Sequence, residues 1–288
     1  MFGIFAVSLS LSVSLFGKVA EPQHSPVIAS QIETEAGDVQ GVYVETTKTT
    51  QSNHVAKPES GTDPELADDV AGQPRKSTYK IALYGDSMMD VFGSRMSEIE
   101  TALKKKYPKT VFILYNYGIG AENVDQAAER FDQPFSSSGR QYLPLPIVNP
   151  DIVIVGSYGY NPFDPYNRDR HWLGLSKLVQ KAKATGADVY LLADIAPLRS
   201  EFGRGVSGPN WDTVTAYEKS GQVIQQLENA VGIAKNENVI LMNAFEKSTA
   251  TSRGDGKREY ISTQDNIHPS EKGRVFLGDL IANTLVLD

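Results

Sequence analysis

From Lys80 onward the chain alternates between short apolar runs and amphipathic helical patterns, and this alternation constrains its fold more than any other feature. Strand signals separated by helix signals are typical of a parallel sheet covered by helices. The pattern predicts strands at 81–84, 111–117, 152–155, 189–192 and 239–242. Helices are predicted at 94–107, 173–184, 213–235 and 269–287, and a further short helix is predicted to include residues 127 and 128. The stretch 133–150 is predicted to be irregular.

The chain before this alternation has a different composition. Residues 1–16 form an uncharged apolar run broken by serines, and its length suits the core of a signal peptide better than a membrane span of about 20 residues. No Lys or Arg precedes the run, and its period-two alternation over 7–13 is also compatible with a strand. We predict a signal peptide or membrane anchor at 1–20 and a flexible polar linker at 21–78. A folded domain would then occupy 79–288, outside the cytoplasm, with a possible tether through 1–17.

Charge and cysteine content exclude several classes of function. The formal net charge of the 288-residue chain is -7 and its pI is about 5.2, which argues against a general nucleic-acid binder. The chain has no cysteine, so disulfides, cysteine nucleophiles and thiolate zinc sites are excluded. Export remains compatible with this composition because the absence of thiols fits both oxidising and reducing compartments.

The candidate nucleophile is Ser87, which follows Gly85 and Asp86 directly after the first predicted strand. In an α/β sheet, the side chains at the carboxyl end of a strand project into the crevice where ligands bind. Ser87 is therefore placed where a catalytic serine is expected. The alternative is that Ser87 only caps the following helix, because serine is a favoured N-cap residue.

The candidate base is His268, which elimination singles out among the four histidines. His24 and His54 lie in the predicted linker, and His171 lies in the polar start of a predicted helix. Asp265 precedes His268 by three residues, within reach of the imidazole if the loop curls. The alternative is a surface Asp and His that flank a helix start.

Taken together, four blocks in this order resemble the SGNH/GDSL hydrolase superfamily over Lys80–Asp288. The blocks are Gly85-Asp86-Ser87, the glycine-rich turn Gly118-Ile119-Gly120-Ala121, Gly159-x-Asn161 and Asp265-x-x-His268. The resemblance implies a flavodoxin-like three-layer α/β/α sandwich with a mainly parallel five-stranded sheet, and it implies no cofactor. It also implies that Ser87 is the nucleophile, Asp265 the residue that orients the base, and His268 the base.

The resemblance also implies an oxyanion hole, in which this sequence departs from the family pattern. The donors would be the Ser87 backbone NH, a backbone NH at Gly120 or Ala121, and the side chain of Asn161. Pro162 stands where the family has an aspartate after the asparagine, which removes both a carboxylate and a backbone NH. Met88 replaces the leucine of the first block, a swap of similar volume that we expect to be harmless.

Other catalytic classes fit the sequence less well. An α/β-hydrolase needs Gly-x-Ser-x-Gly, and the stretch around Ser87 lacks the second glycine. The turn that starts at Gly118 lacks the third glycine of a dinucleotide-binding fingerprint. One usable histidine without a clustered second ligand does not make a zinc site, so no metal is predicted.

The substrate class is suggested by aromatic and arginine side chains in two loops. The predicted contacts are Tyr158, Tyr160, Arg199, Arg204 and Trp211, with Phe163 and Tyr166 beside them. Aromatic faces suit sugar rings and arginines suit carboxylates or phosphates, although ordinary loop packing is the alternative. The leading hypothesis is a serine esterase that removes acetyl groups from a glycan outside the cytoplasm. The alternatives are a lysophospholipase or short-chain lipase, a glycan O-acyltransferase, and a non-catalytic glycan-binding module on the same fold.

Overall fold

Residues 76–287 are described by a computed structural model of the protein. The predicted signal or anchor segment at 1–20 and nearly all of the predicted linker at 21–78 lie outside the described residues. The linker prediction extends slightly too far, because Thr78 already belongs to the first strand and pairs with Val111.

Strands and helices alternate through the described residues. The strands are β1 (Thr78–Tyr84), β2 (Val111–Asn116), β3 (Phe135–Ser137), β4 (Arg140–Tyr142), β5 (Ile152–Gly156), β6 (Asp188–Ala193) and β7 (Ile240–Asn243). The helices are α1 (Ser87–Asp90), α2 (Ser97–Lys106), α3 (Val124–Arg130), α4 (Leu145–Val148), α5 (Arg168–Lys183), α6 (Thr213–Asn236), α7 (Ala244–Ser248) and α8 (Glu271–Thr284). A short 3-10 turn at Arg258–Tyr260 precedes α8.

The main sheet has five strands in the order β2-β1-β5-β6-β7, and every neighbouring pair is parallel. Helices cover both faces of this sheet, so the α/β sandwich with a five-stranded parallel sheet that the sequence predicts is confirmed. The order places β1 and β5 next to each other at the centre. The segments that follow these two strands carry Ser87, at the start of α1, and Asn161, so the sheet brings both residues to one edge.

Alternation along β1 explains why the sheet is buried on both faces. Ile81 and Leu83 pack into the cluster that contains α2 and α8, whereas Ala82 and Tyr84 pack into the cluster that contains α3 and α5. All four side chains are buried. Successive side chains of a strand point to opposite faces, so an uninterrupted apolar run is what a doubly covered parallel strand requires.

The stretch 133–150 was predicted to be irregular, and this prediction is wrong. It contains the antiparallel hairpin β3–β4 and the helix α4. The rings of Phe135 and Tyr142 stack across the hairpin with centroids 4.3 Å apart. Arg140 pairs with Asp90 of α1 at 2.5 Å, which holds the hairpin against the helix that begins at Ser87. Strands of three residues are too short to show a period of their own.

Several helices begin at other residues than predicted, because an N-cap residue fixes where each helix starts. Asn167 caps α5, so this helix starts at Arg168 and its first turn includes His171. Ser270 caps α8, which therefore starts two residues after the predicted Pro269. Among residues 76–287, no helix combines the length and the apolar character needed to cross a membrane.

Candidate active site

Ser87 is held at the carboxyl edge of the sheet by a tight strand-to-helix connection. Asp86 is the N-cap of α1, and its Oδ1 accepts a hydrogen bond from the backbone NH of Met88 at 3.0 Å. Ser87 is the first residue of α1 and is half-buried, whereas Asp86, Met88 and Met89 around it are buried. The cap is therefore made by Asp86, and the Ser87 side chain is not needed for that purpose.

The loop before α8 brings Asp265 and His268 together. Nδ1 of His268 lies 2.6 Å from Oδ2 of Asp265, and Oδ1 of the same carboxylate accepts the backbone NH groups of Ile267 at 2.8 Å and His268 at 3.0 Å. A carboxylate that accepts from Nδ1 fixes the proton there, which leaves Nε2 with a free lone pair. The loop thus presents an imidazole in the tautomer that a general base needs.

The environment of Asp265 favours its ionised form. Partial burial opposes ionisation, but the hydrogen bond from His268 and those from the two backbone NH groups outweigh it, so the pKa of Asp265 lies below its ordinary value. Asp265 consequently stays a carboxylate at neutral pH. A permanent negative charge at Nδ1 stabilises an imidazolium when His268 takes a proton.

A second loop supports the Asp265 turn from behind, and sequence reasoning did not identify it. The backbone NH of Gly205 donates to the carbonyl of Asp265 at 3.3 Å, and the NH of Ser207 donates to the carbonyl of Gln264 at 2.7 Å. A Cβ at Gly205 would lie 2.5 Å from the Asp265 backbone. This close approach explains why position 205 is a glycine. The loop packs against the turn that carries Asp265 and supports it.

Asn161 is held by Asp86, across 75 residues of sequence. Its Nδ2 donates to Oδ2 of Asp86 at 2.8 Å. An amide NH2 group has two hydrogens, so one can be held by Asp86 while the other is donated to an oxyanion. Pro162, the next residue, has no carboxylate, and the carboxylate that holds the Asn161 amide belongs to Asp86.

The turn after β2 runs beside the end of β1. Asn116 accepts the backbone NH of Gly118 at 2.8 Å and donates its amide to the carbonyls of Met89 and Gly93 near α1. Gly120 and Ala121 follow and are both exposed, and Ala121 has a left-handed φ of 59°. Both predicted backbone donors are therefore accessible to solvent. That one of them donates to an oxyanion stays a prediction.

A buried ion pair joins the ends of β1 and β2 beneath this turn. Nε of Arg130 donates to both carboxylate oxygens of Glu122 at 2.7 and 2.8 Å, and Nη2 donates to the carbonyls of Tyr117 at 2.9 Å and Gly85 at 3.3 Å. The guanidinium also lies over the ring of Tyr84, 4.2 Å from its centroid. Sequence reasoning missed this pair, since an acidic and a basic residue eight positions apart give no signal of burial.

His171, which was expected in the polar start of a helix, is buried in α5. Its Nε2 lies 2.9 Å from the carbonyl of Ser157, and its Nδ1 lies 3.3 Å from Nδ2 of Asn229. Burial lowers the pKa of His171 to about 4 despite the bond to Ser157, so the ring is neutral. A neutral imidazole that donates from Nε2 and accepts at Nδ1 satisfies both contacts, and His171 acts as a structural link.

The structure places Ser87 and His268 at the same edge without a hydrogen bond between them among the described residues. Burial and the charge of Asp194 raise the pKa of Asp86, beside Ser87, and the nearby imidazole of His268 offsets only part of this rise. Contacts between a nucleophile and its base often tighten only when substrate binds.

Two of the predicted substrate contacts, Tyr158 and Tyr160, are buried in the structure. Tyr158 is 0% exposed and Tyr160 is 7% exposed. The hydroxyl of Tyr160 donates to the carbonyl of Ile195 at 2.8 Å, and its ring packs near Phe202. Burial accounts for both rings as packing, and a role in binding substrate stays a prediction.

Arg199, Arg204 and Trp211 each have a partner within the protein. Arg199 lies over the ring of Tyr217, 4.0 Å from its centroid, and Arg204 donates to Oγ1 of Thr213 at 2.6 Å. Trp211 stacks on Phe202 with centroids 5.6 Å apart. These contacts explain the side chains as packing of the loop after β6, and their role in binding substrate stays a prediction.

No cluster of three or more His, Asp or Glu side chains arranged to hold a metal ion occurs in the part of the chain that the structure describes. The groups brought together at the sheet edge are a hydroxyl, an Asp–His pair and an amide. Such groups can activate a serine by general-base catalysis and stabilise an oxyanion.

Comparison with known proteins agrees with the fold and the blocks. The sequence profile of the GDSL-like Lipase/Acylhydrolase family matches residues 81–281. No curated protein matches the chain.

Solved structures with the same fold include a putative lipolytic protein of the G-D-S-L family from Desulfitobacterium hafniense DCB-2, with a TM-score of 0.52 and 14% identity over 72% of this chain and 99% of that one. A variant of an acetyl-xylooligosaccharide esterase from Geobacillus Stearmophilus has a TM-score of 0.51 and 16% identity over 72% and 93%. The lipase/acylhydrolase from Enterococcus faecalis has a TM-score of 0.51 and 16% identity over 71% and 94%. At these identities the likeness concerns the fold.

Proposed function

Because the chain belongs to the GDSL-like lipase/acylhydrolase family, we propose that it is a serine esterase that removes acetyl groups from a glycan outside the cytoplasm. The observation that carries the hydrolase part of this proposal is the 2.6 Å contact between Asp265 and Nδ1 of His268, at the sheet edge where Ser87 begins α1. The pair leaves Nε2 of His268 free to accept the proton of a serine hydroxyl.

In the proposed reaction, Oγ of Ser87 bonds to the carbonyl carbon of the ester while Nε2 of His268 takes the hydroxyl proton. The carbonyl oxygen becomes an oxyanion, which the second hydrogen of the Asn161 amide and backbone NH groups of Ser87 and of Gly120 or Ala121 would stabilise. Collapse of this intermediate breaks the bond to the alcohol, which leaves with the proton from His268. An acyl-serine remains.

Water completes the reaction. His268 removes a proton from water as its oxygen bonds to the acyl carbon, and the bond to Ser87 then breaks as the proton returns to the serine. The products are the carboxylic acid and the free enzyme. If a sugar hydroxyl took the place of water at this step, the same residues would transfer the acyl group instead.

The acetyl-glycan part of the proposal rests on two supports. Two proteins that share the fold are named as an acetyl xylan esterase and an acetyl-xylooligosaccharide esterase, which makes acetylated xylo-oligosaccharides reasonable first substrates. The apolar run at 1–16 supports export, and fractionation of cells that produce the full chain, with and without residues 1–20, tests this location.

The decisive experiment measures hydrolysis of p-nitrophenyl acetate, butyrate and octanoate, and of acetylated xylo-oligosaccharides, by the full chain. We expect Ser87→Ala and His268→Ala each to lower kcat by at least about 1,000-fold, because nucleophile and base act as one unit. Ser97→Ala is the matched control, since this exposed hydroxyl donates to its neighbour Glu98 and is not part of the candidate site.

The substrates separate the alternatives. Faster hydrolysis of octanoate than of acetate would favour a lysophospholipase or lipase, and acetylated products formed from a glycan acceptor would favour a transferase. Equal rates for the wild type and Ser87→Ala would contradict the proposed mechanism and leave a glycan-binding module as the better account.

A further inference from the structure

A buried carboxylate that the proposed reaction does not use lies at the end of β6. Asp194 follows the last residue of this strand and is 1% exposed. Its Oδ2 accepts the hydroxyl of Ser157 at 2.5 Å and the backbone NH of Ser157 at 3.3 Å. Because β5 and β6 are parallel neighbours with Gly156 opposite Leu192, the residues that follow each strand meet at this edge. Asp194 is therefore attached to the loop after β5.

Ser157 opens the segment that carries Asn161. Its hydroxyl oxygen accepts the backbone NH of Gly159 at 3.2 Å, and the backbone NH of Asn161 donates to the carbonyl of Tyr158 at 3.4 Å. The turn of the segment thus depends on the orientation of the Ser157 hydroxyl. Since that hydroxyl donates to Asp194 and accepts from Gly159, the carboxylate determines which way it points.

A serine or threonine at position 194 could also accept the hydrogen bond from Ser157. A buried carboxylate there is unfavourable by comparison, and its presence needs an explanation. Asp194 lies near a second buried carboxyl, Asp86, whose ionisation it opposes. The amide of Asn161 donates to Asp86, and the hydroxyls of Tyr158 and Tyr160 and the imidazole of His268 interact electrostatically with the pair. Both tyrosines stay neutral because burial raises their pKa well above the ordinary value.

The two carboxyl groups hold Asn161 at different points. Asp86, after β1, holds the amide of the side chain, while Asp194, after β6, holds the start of the backbone segment through Ser157. A side chain that must donate to an oxyanion within a few tenths of an ångström needs both its backbone and its amide to be fixed.

We propose that Asp194 is a positioning residue of the hydrolase site, which acts through Ser157 to hold the segment 157–161 so that the Asn161 amide faces the oxygen of the ester. This inference rests on the proposed function, because an oriented amide matters for catalysis only if an oxyanion forms. It predicts that the effect of Asp194 on the rate depends on the presence of Asn161.

The test is a double-mutant cycle on the full chain with p-nitrophenyl acetate. We expect Asp194→Ala to lower kcat by about tenfold or more while KM stays within about threefold. In a chain that already carries Asn161→Ala, the same substitution should lower kcat by less than about twofold, because residues that act through one another are not additive. Asp188→Ala is the matched control, since Asp188 is exposed at the other end of the same strand.

Variants that keep the fold make the test decisive even if Asp194→Ala unfolds, which circular dichroism would show. Ser157→Ala removes the same hydrogen bond from its other side and must show the same dependence on Asn161. Asp194→Asn keeps an acceptor for Ser157 and should retain kcat within about threefold.

An equal loss of kcat from Ser157→Ala or Asp194→Ala in both backgrounds would overturn the inference while leaving the serine esterase intact. Full activity of Asn161→Ala would overturn it too, and would remove Asn161 from the proposed oxyanion hole. A wild-type chain without hydrolytic activity would contradict the proposed function itself, and the inference with it.

Discussion

Two aspartates of the candidate site, Asp86 and Asp265, have surroundings that shift their pKa values in opposite directions. Asp265 is partly exposed and accepts three hydrogen bonds, from Nδ1 of His268 and two backbone NH groups. Asp86 is fully buried, accepts from the backbone of Met88 and the amide of Asn161, and faces Asp194. The pKa of Asp265 is lowered and that of Asp86 is raised, although both are aspartates of one site.

The difference teaches that donors and neighbouring charges, more than position at an active-site edge, decide the charge of a carboxyl group. A basic partner and backbone NH groups outweigh partial burial at Asp265. At Asp86, burial and a second carboxylate outweigh the same kinds of hydrogen bond. The carboxylate of Asp265 is suited to stabilising the imidazolium of His268, whereas the carboxyl group of Asp86 is suited to holding the neutral amide of Asn161.

The largest loss of kcat is expected when Asp265, the partly exposed carboxylate, is changed. Asp265→Asn keeps an oxygen for the two backbone NH groups but turns an NH2 toward Nδ1 of His268, which forces the proton onto Nε2. Because Nε2 then cannot accept the serine proton, we expect kcat for p-nitrophenyl acetate to fall by about 1,000- to 10,000-fold. Asp279→Asn, an exposed change on α8, is the control. A loss below tenfold would mean that Asp265 does not orient the base.

A smaller loss of kcat is expected when Asp86, the buried carboxyl group, is changed. Asp86→Asn keeps one acceptor for Met88 but can place an NH2 group against the NH2 of Asn161, so the amide must turn away. We expect kcat to fall by about 100-fold with KM within about threefold, the size typical of losing one oxyanion donor. Steady-state kinetics beside Asp188→Asn measure this effect. A change confined to KM would show instead that Asp86 serves substrate binding.

The smallest expected effect is on the free energy of unfolding. Its change with pH has one sign for the buried pair Asp86 and Asp194 and the opposite sign for Asp265. A raised pKa means that the folded state binds more protons above the ordinary carboxyl pKa, so the contribution of Asp86 and Asp194 to the free energy of unfolding falls as pH rises through their folded pKa values. The contribution of Asp265 is complete above the ordinary pKa and is lost as pH falls through its lowered pKa.

Urea unfolding between about pH 5 and pH 8 tests this difference. We expect Asp194→Asn to flatten the decline of the unfolding free energy with pH, and to be more stable than the wild type by about 1 kcal/mol at the upper end. Asp188→Asn, the exposed change at the other end of β6, should leave the slope in this range unchanged. Identical slopes in the wild type and Asp194→Asn would indicate that the buried pair does not carry a titrating charge.

Much of the fold was predictable because its signals are local. The apolar run that ends at Tyr84 and the Gly85-Asp86-Ser87 turn identify a strand followed by a helix, and the structure has β1 and α1 there. Likewise, Asp265 and His268 are only three residues apart, so a curled loop is enough to join them. The hairpin β3–β4 was missed since strands of three residues have no measurable period.

The aromatic residues after β5 show where local signals stop being informative. Tyr158 and Tyr160 are close to Asn161 in sequence, and this proximity suggested a surface for sugars. Both are buried, because a loop at the centre of a doubly covered sheet packs its large side chains inward. Composition alone cannot tell which face of a loop is covered, since that depends on helices far away in the chain.

The sequence by itself determined the alternation of strands and helices, the serine at a strand end and the Asp–His pair before the last helix, because each depends on residues within one turn of one another. Only the tertiary structure decided that Asp86 holds Asn161, that Asp194 holds Ser157, and that the loop through Gly205 backs Asp265. These contacts join residues 37 to 75 positions apart. They follow from the strand order β2-β1-β5-β6-β7, which tertiary packing sets and no local pattern encodes.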